Sequence, residues 1–141
     1  MSVEKSSEEA RRWYETAIDD LETARILQGN AKYAQCCFHC QQAAEKAMKA
    51  VYYAASADPW GHSVLRLVQG LAKKGLPGET FPALGEKAKR LDQYYVPTRC
   101  PNGLPGTIPS QAYGPEDAQA ALDAAGAVLD AVGTHLKYEK E

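Results

Sequence analysis

The sequence predicts an all-α fold: an up-and-down bundle of four long helices plus one shorter helix, in a single domain over residues 1–141. Three observations lead there. Apolar residues recur at steps of three and four in five successive segments, the spacing that one helix face demands. The breaks between those segments fall on Gly, Pro and Asn. No segment alternates with the period of two that a strand requires, and no fixed-period repeat is present.

The first helix is expected over about 7–28, with Ala10, Tyr14, Ala17, Leu21 and Ala24 as its apolar face. Ser6 or Ser7 is placed to cap it, and with Ser6 as the cap Glu9 completes a capping box. Gly29-Asn30 ends it, since both residues tolerate the left-handed conformation of a helix C-terminus. The second helix, about 31–56, carries two stripes. Tyr33, Cys37, Cys40, Ala44, Met48 and Val51 are core-like, whereas His39, Gln42, Lys46, Lys49 and Tyr53 are polar with a positive end. Asp58-Pro59-Trp60-Gly61 breaks the chain. A third helix, about 62–74, buries Val64, Leu67, Val68 and Leu71 and stops at Lys73-Lys74-Gly75, which suits both the dipole and the cap. Leu76-Pro77-Gly78 is a turn. A fourth helix, about 80–96, has Phe81, Leu84, Ala88, Leu91 and Tyr95 on one face, and Pro97 stops it. Residues 97–115 hold five of the eight prolines and read as a long loop, a type of segment that commonly carries function. The last helix, about 116–138, presents Ala118, Leu122, Ala125, Leu129, Val132 and Leu136.

Composition narrows the function classes. A chain of 141 residues can bury a core without staples. No apolar run approaches the roughly 20 residues of a membrane span. Met1 to Glu9 are polar and acidic, with no apolar signal region, so a cytoplasmic location is the expectation. Cys36, Cys37, Cys40 and Cys100 are expected as free thiols, because three of them crowd into one segment. The net charge of −2 is uneven: −3 over 1–30, +4 over 31–76, +1 over 77–114 and −4 over 115–141. A basic middle favours phosphate-bearing partners, although the excess is modest. No phosphate-cradling glycine loop and no His-Glu-x-x-His motif occurs, and no cofactor or metal is expected.

An ordered set of segments then stands out. Trp13, Asp20-Leu21 and Ala24 lie in the first helix, and Tyr33-Ala34 with Gln41-Gln42-Ala43-Ala44-Glu45-Lys46-Ala47 in the second. Gly61-His62-Ser63 opens the third, Leu91-Asp92-Gln93-Tyr94-Tyr95-Val96-Pro97-Thr98-Arg99 closes the fourth, and Tyr113 precedes the last. In this order they resemble the HEPN (higher eukaryotes and prokaryotes nucleotide-binding) domain family, over nearly the whole chain. The resemblance implies a helical bundle that often forms homodimers. It also implies a minimal nucleotidyltransferase as partner, in toxin–antitoxin pairs. Many other members are metal-independent ribonucleases that carry an arginine and a histidine separated by four to six residues. That spacing is absent here: the positions five to seven before His39 are Ala34, Tyr33 and Lys32, and no arginine precedes His62 or His135 at that distance. Lysine lacks the planar fork that holds a phosphate bidentately. Family-type nuclease activity is therefore not expected, and a binding role is.

The candidate site residues are Arg99, His62, Lys46, Gln42 and Tyr95. Arg99, just past a helix end, offers a fork for phosphate or a pin for its loop. His62 offers a ligand contact or acid–base group, or simply a cap. The stripe His39, Gln42, Lys46 and Lys49 either tracks phosphates or is a solvated face. Tyr94, Tyr95, Trp60 and Tyr113 either stack on a base or fill the core. Cys37 and Cys40 have a zinc-like spacing but pack equally well as small hydrophobes. The expected function is binding of a nucleotide, RNA or a nucleotidyltransferase partner by a dimer. The alternatives are a ribonuclease with a rearranged site, pairing His62 or His39 with Arg99 or Lys46, and a purely structural dimerisation protein.

Overall fold

The first helix, α1, runs from Val3 to Gly29, four residues earlier than expected. Its cap is Ser2, whose hydroxyl accepts from the Lys5 amide, so neither Ser6 nor Ser7 is the cap. Ser6 is instead buried inside the helix and shares a 2.6 Å hydrogen bond with Ser56. The structure, a computed structural model, describes residues 2–74 and 81–138. The expected stop at Gly75, the turn Leu76-Pro77-Gly78 and the expected helix start at 80 lie outside the described residues.

Helix α2 follows at Tyr33–Ala54, α3 at Val64–Lys73, α4 at Gly85–Asp92, α5 at Pro109–Ala112 and α6 at Pro115–Leu136. The fold class is the one expected, all-α. Three of the described helices rather than four are long, because residues 81–96 do not make one helix. A 3-10 turn at Pro82–Leu84 leads into the eight-residue α4. Beyond Asp92 the chain tightens: the amides of Gln93, Tyr94 and Tyr95 bond to carbonyls three residues back. That tighter winding buries Tyr94 and leaves Tyr95 half-exposed. The stretch 97–115 likewise contains a 3-10 turn, Pro101–Gly103, and α5, which packs on α2.

Helices α1 and α2 form the most extensive contact, α6 packs along α2 and α1, and α3 and α4 close the side of α2. Small side chains allow the close approach. Ala10, Ala17 and Ala24 of α1 meet a surface containing Ala43, Ala44, Ala47 and Ala50, all without exposed area. Two tyrosines cross the seams. The Tyr52 hydroxyl donates to the Leu67 carbonyl at 2.6 Å, and that of Tyr14 to Leu129 at 3.2 Å. Each hydroxyl lies close to where a Cβ on Gly70 or Gly133 would go, so a side chain at either position would have to displace the tyrosine.

The turns after α1, α2 and α6 share one device. At the end of α1, the Lys32 amide reaches the Leu27 carbonyl and the Ala31 amide that of Gln28, a Schellman pair. The left-handed residue is Ala31, φ 59°, rather than Gly29 or Asn30. Ser56 (φ 55°) and Lys137 (φ 61°) occupy the matching positions after α2 and α6.

Candidate functional site

Four of the five candidate residues meet where the start of α3 and the chain after α4 cross α2. The anchor is Asp92, the last residue of α4. Its carboxylate accepts from the Ser63 hydroxyl (2.6 Å) and from the amides of Val64 (2.6 Å) and Leu65 (3.2 Å). Ser63 itself caps α3 by accepting from the Arg66 amide. An acid on a helix N-terminus satisfies free amides and the dipole together, so the α3 start is fixed to the α4 end. That places His62 beside Tyr95, ring centroids 4.9 Å apart and planes 17° from parallel.

Helix α2 holds the other side of His62. The Gln41 amide donates to the His62 carbonyl (2.9 Å) and to Glu45 (3.2 Å), and Gln42 donates to Gln41 (2.7 Å). His62 Nδ1 lies 3.4 Å from Glu45 Oε2, and Lys49 Nζ lies 3.1 Å from that same oxygen. Glu45 is only 5% exposed at its side chain, so a charged carboxylate there depends on these partners. The His62 ring is 60% exposed, and with Nδ1 turned to Glu45 its other nitrogen is the one available to a ligand.

Arg99 completes the group. Its Nε–H donates to the Tyr95 carbonyl (2.7 Å), and its guanidinium lies 4.6 Å from the Tyr95 ring and 4.9 Å from Phe38. The plane is held while the two terminal nitrogens have no hydrogen bond among the described residues. Tyr95, stacked on by both Arg99 and His62, acts as the spacer between them. Thr98 steadies this turn by donating to the Tyr94 carbonyl.

Lys46 stands apart. It pairs with Asp20 of α1 at 2.7 Å, and Lys49 is only 13% exposed. Lys46 is thus tied to α1 and Lys49 to its own helix, so both ammonium groups of the α2 stripe are paired with carboxylates. His39 is half-buried with Nδ1 lacking a hydrogen-bond partner among the described residues. Tyr113 packs edge-on against buried Tyr94, whereas Trp60 is 85% exposed. The three clustered cysteines are fully buried. Burial, with the neighbouring Cys36 and Asp117 charges, pushes the Cys37 thiol up to about 12. Cys40 shares its hydrogen with Cys36, one turn away, which raises Cys40 and lowers Cys36. No group of His, Cys, Asp and Glu suited to a metal occurs among the described residues, and no described helix is long and apolar enough to cross a membrane. A broad groove of about 760 Å³ adjoins the site at Asp92 and Leu65 and is lined further by α4 and α6 residues including Lys87, Arg90 and Asp123.

Four partners in this site are not among the candidates that the sequence singles out: Gln41, Glu45, Asp92 and Phe38. Gln41, Glu45 and Asp92 do lie in the segments that carry the family resemblance, and Gln41 and Glu45 are also polar residues one turn apart on α2; Phe38 carries no such signal.

Solved structures share the fold, three of them as follows. The TT1696 protein of Thermus thermophilus is 39% identical, with a TM-score of 0.81 over 89% of this chain and 96% of its own. ST0689, an archaeal HEPN homologue, is 28% identical, with a TM-score of 0.74 over 90% and 97%. A HEPN domain protein of Thermotoga maritima, TM0613, is 29% identical, with a TM-score of 0.69 over 89% and 98%. No curated protein matches significantly. The HEPN domain model matches residues 10–136, nearly the whole chain and every segment that builds the site. The chain belongs to the HEPN domain family.

Proposed function

We propose that this HEPN-domain protein is a binding module that takes a nucleotide at the Arg99–Tyr95–His62 group. The observation that carries the reading is the held guanidinium. Arg99 is fixed through Nε and two rings, while its fork of terminal donors stays open to solvent beside an exposed imidazole. A fork of this kind suits a phosphate, and pre-ordering reduces the entropy lost on binding. A nucleotide-loaded or nucleotidyltransferase partner would use the same face, and a homodimer is part of this reading.

The test is a thermal-shift screen against nucleotides and short RNA, with Arg99→Ala as control. A ligand held at 100 times its Kd stabilises the fold by about 2.7 kcal/mol, several degrees for a domain of this size. A shift in the wild type that vanishes in Arg99→Ala supports the reading. The absence of any shift counts against it and favours a protein partner.

One observation favours a second reading, a ribonuclease. Glu45 on His62 Nδ1 orients the ring as a general base, with Arg99 nearby to stabilise phosphorane charge. Cleavage of RNA by the wild type and not by His62→Ala supports it. Cleavage that survives in every histidine variant points to a contaminant.

A further inference from the structure

A second cluster of aromatic rings and cations lies farther along α2, against α1. Trp13 of α1 stacks on Tyr53 of α2, with centroids 5.3 Å apart and planes 26° from parallel. The indole Nε1–H donates to Glu9 (3.0 Å), and Lys49 Nζ lies 5.7 Å from the indole ring. The indole forms one wall of a cleft of about 270 Å³, completed by Glu9, Arg12, Thr16 and Lys46. That volume suits one base-sized group rather than a whole drug-sized ligand.

The two clusters are physically joined. Lys49, beside Trp13, bonds the same Glu45 oxygen that His62 approaches. From Glu45 to Tyr53 is eight residues, roughly 12 Å along the helix axis. The composition also repeats. Each cluster has an aromatic surface and an exposed guanidinium: Arg99 in one, and in the other Arg12, 78% exposed and, among the described residues, tied through its side chain to Glu9. An exposed pair such as Arg12–Glu9 is weak in water, so a phosphate can compete for the guanidinium. Stacking on a ring accepts any base, and cations placed at intervals beside such rings follow a backbone.

We infer that the Trp13 cleft is a second base-binding subsite, so that the ligand is a single-stranded oligonucleotide lying along α2 and not a mononucleotide. This rests on the nucleotide reading of the Arg99 site and extends it to a second unit.

The test compares adenosine monophosphate with a tetra-adenylate RNA by titration calorimetry, in the wild type, Arg99→Ala, Trp13→Ala and Trp13→Phe. Affinity is expected to rise at least tenfold from the mononucleotide to the tetranucleotide. Trp13→Ala should remove that gain and leave the mononucleotide unchanged. Trp13→Phe should keep part of it, and Arg99→Ala should weaken both ligands. Because Trp13→Ala also removes the Tyr53 stack, a second readout uses a Trp60→Phe protein, where Trp13 is the single tryptophan. Saturating tetranucleotide should quench its emission, and the mononucleotide should not. A length gain that persists in Trp13→Ala, or an unmoved Trp13 emission at saturation, overturns the second subsite alone. If the mononucleotide itself fails to bind the wild type, the Arg99 reading falls and this inference with it.

Discussion

Along α1, α2 and α6 the packing surface is rich in alanines with little or no exposed area, set among larger apolar side chains such as Met48 and Leu129, and position is set by how closely backbones approach. Around α3 and α4 the elements are short, and position is set by polar contacts: Asp92 on the α3 amides, Gln41 on the His62 carbonyl, Glu45 between His62 and Lys49. The difference teaches where specificity resides. Apolar packing makes a stable bundle but tolerates rearrangement if volume is kept. A few directional contacts instead fix one imidazole and one guanidinium relative to each other. The two regions should therefore fail differently.

The largest effect is expected at Glu45. Its removal in Glu45→Ala leaves Lys49, 13% exposed, without its carboxylate, and urea unfolding should show a loss of about 3 kcal/mol. Replacing the pair together, Glu45→Met with Lys49→Met, should recover most of that stability while displacing His62. In the alanine seam, Ala44→Leu should cost about 2 kcal/mol by overpacking and leave the Arg99 group untouched. Asp92→Ala comes next, at about 1 kcal/mol, since Ser63 remains as a cap. Its characteristic signature is loss of the His62–Tyr95 stack, readable from the His62 ring resonances. An Ala44→Leu protein that loses the stack, or an Asp92→Ala protein that keeps it, would break the distinction between the regions.

Much of this contrast is visible in the sequence, though unevenly. The long faces of α1, α2 and α6 announce themselves because a repeat of three and four residues is a local property. The residues 80–96 mislead for the same reason. Their apolar spacing is helical, yet the chain leaves α-geometry after Asp92, whose carboxylate serves α3, 28 residues earlier in sequence at Val64. His62, Tyr95 and Arg99 are legible as unusual residues at element ends, but their meeting is a tertiary fact that no spacing encodes. Helix ends are obscured where the left-handed position carries a Cβ. Ala31 is such a position, and Ala31→Gly should gain about 0.5 kcal/mol in urea unfolding by relieving it.

The buried thiols sharpen the comparison at its smallest scale. Cys37 holds its proton up to about pH 12 in the folded state, against 9.0 for an ordinary thiol. A raised folded value means that stability is unaffected below pH 9 and falls as pH rises from 9 toward 12. Cys37→Ala should flatten part of that alkaline limb in pH-dependent unfolding. In native protein at neutral pH, Cys100 should react with a thiol reagent well before Cys36, Cys37 and Cys40.

In the proposed function Arg99 and His62 act as one ligand site, and NMR observes both groups directly. Nucleotide added to labelled protein should shift the Arg99 Nε–H resonance and the His62 ring resonances along saturable curves with one shared Kd. Ligand binding that moves other resonances and leaves these two groups still would contradict a shared site.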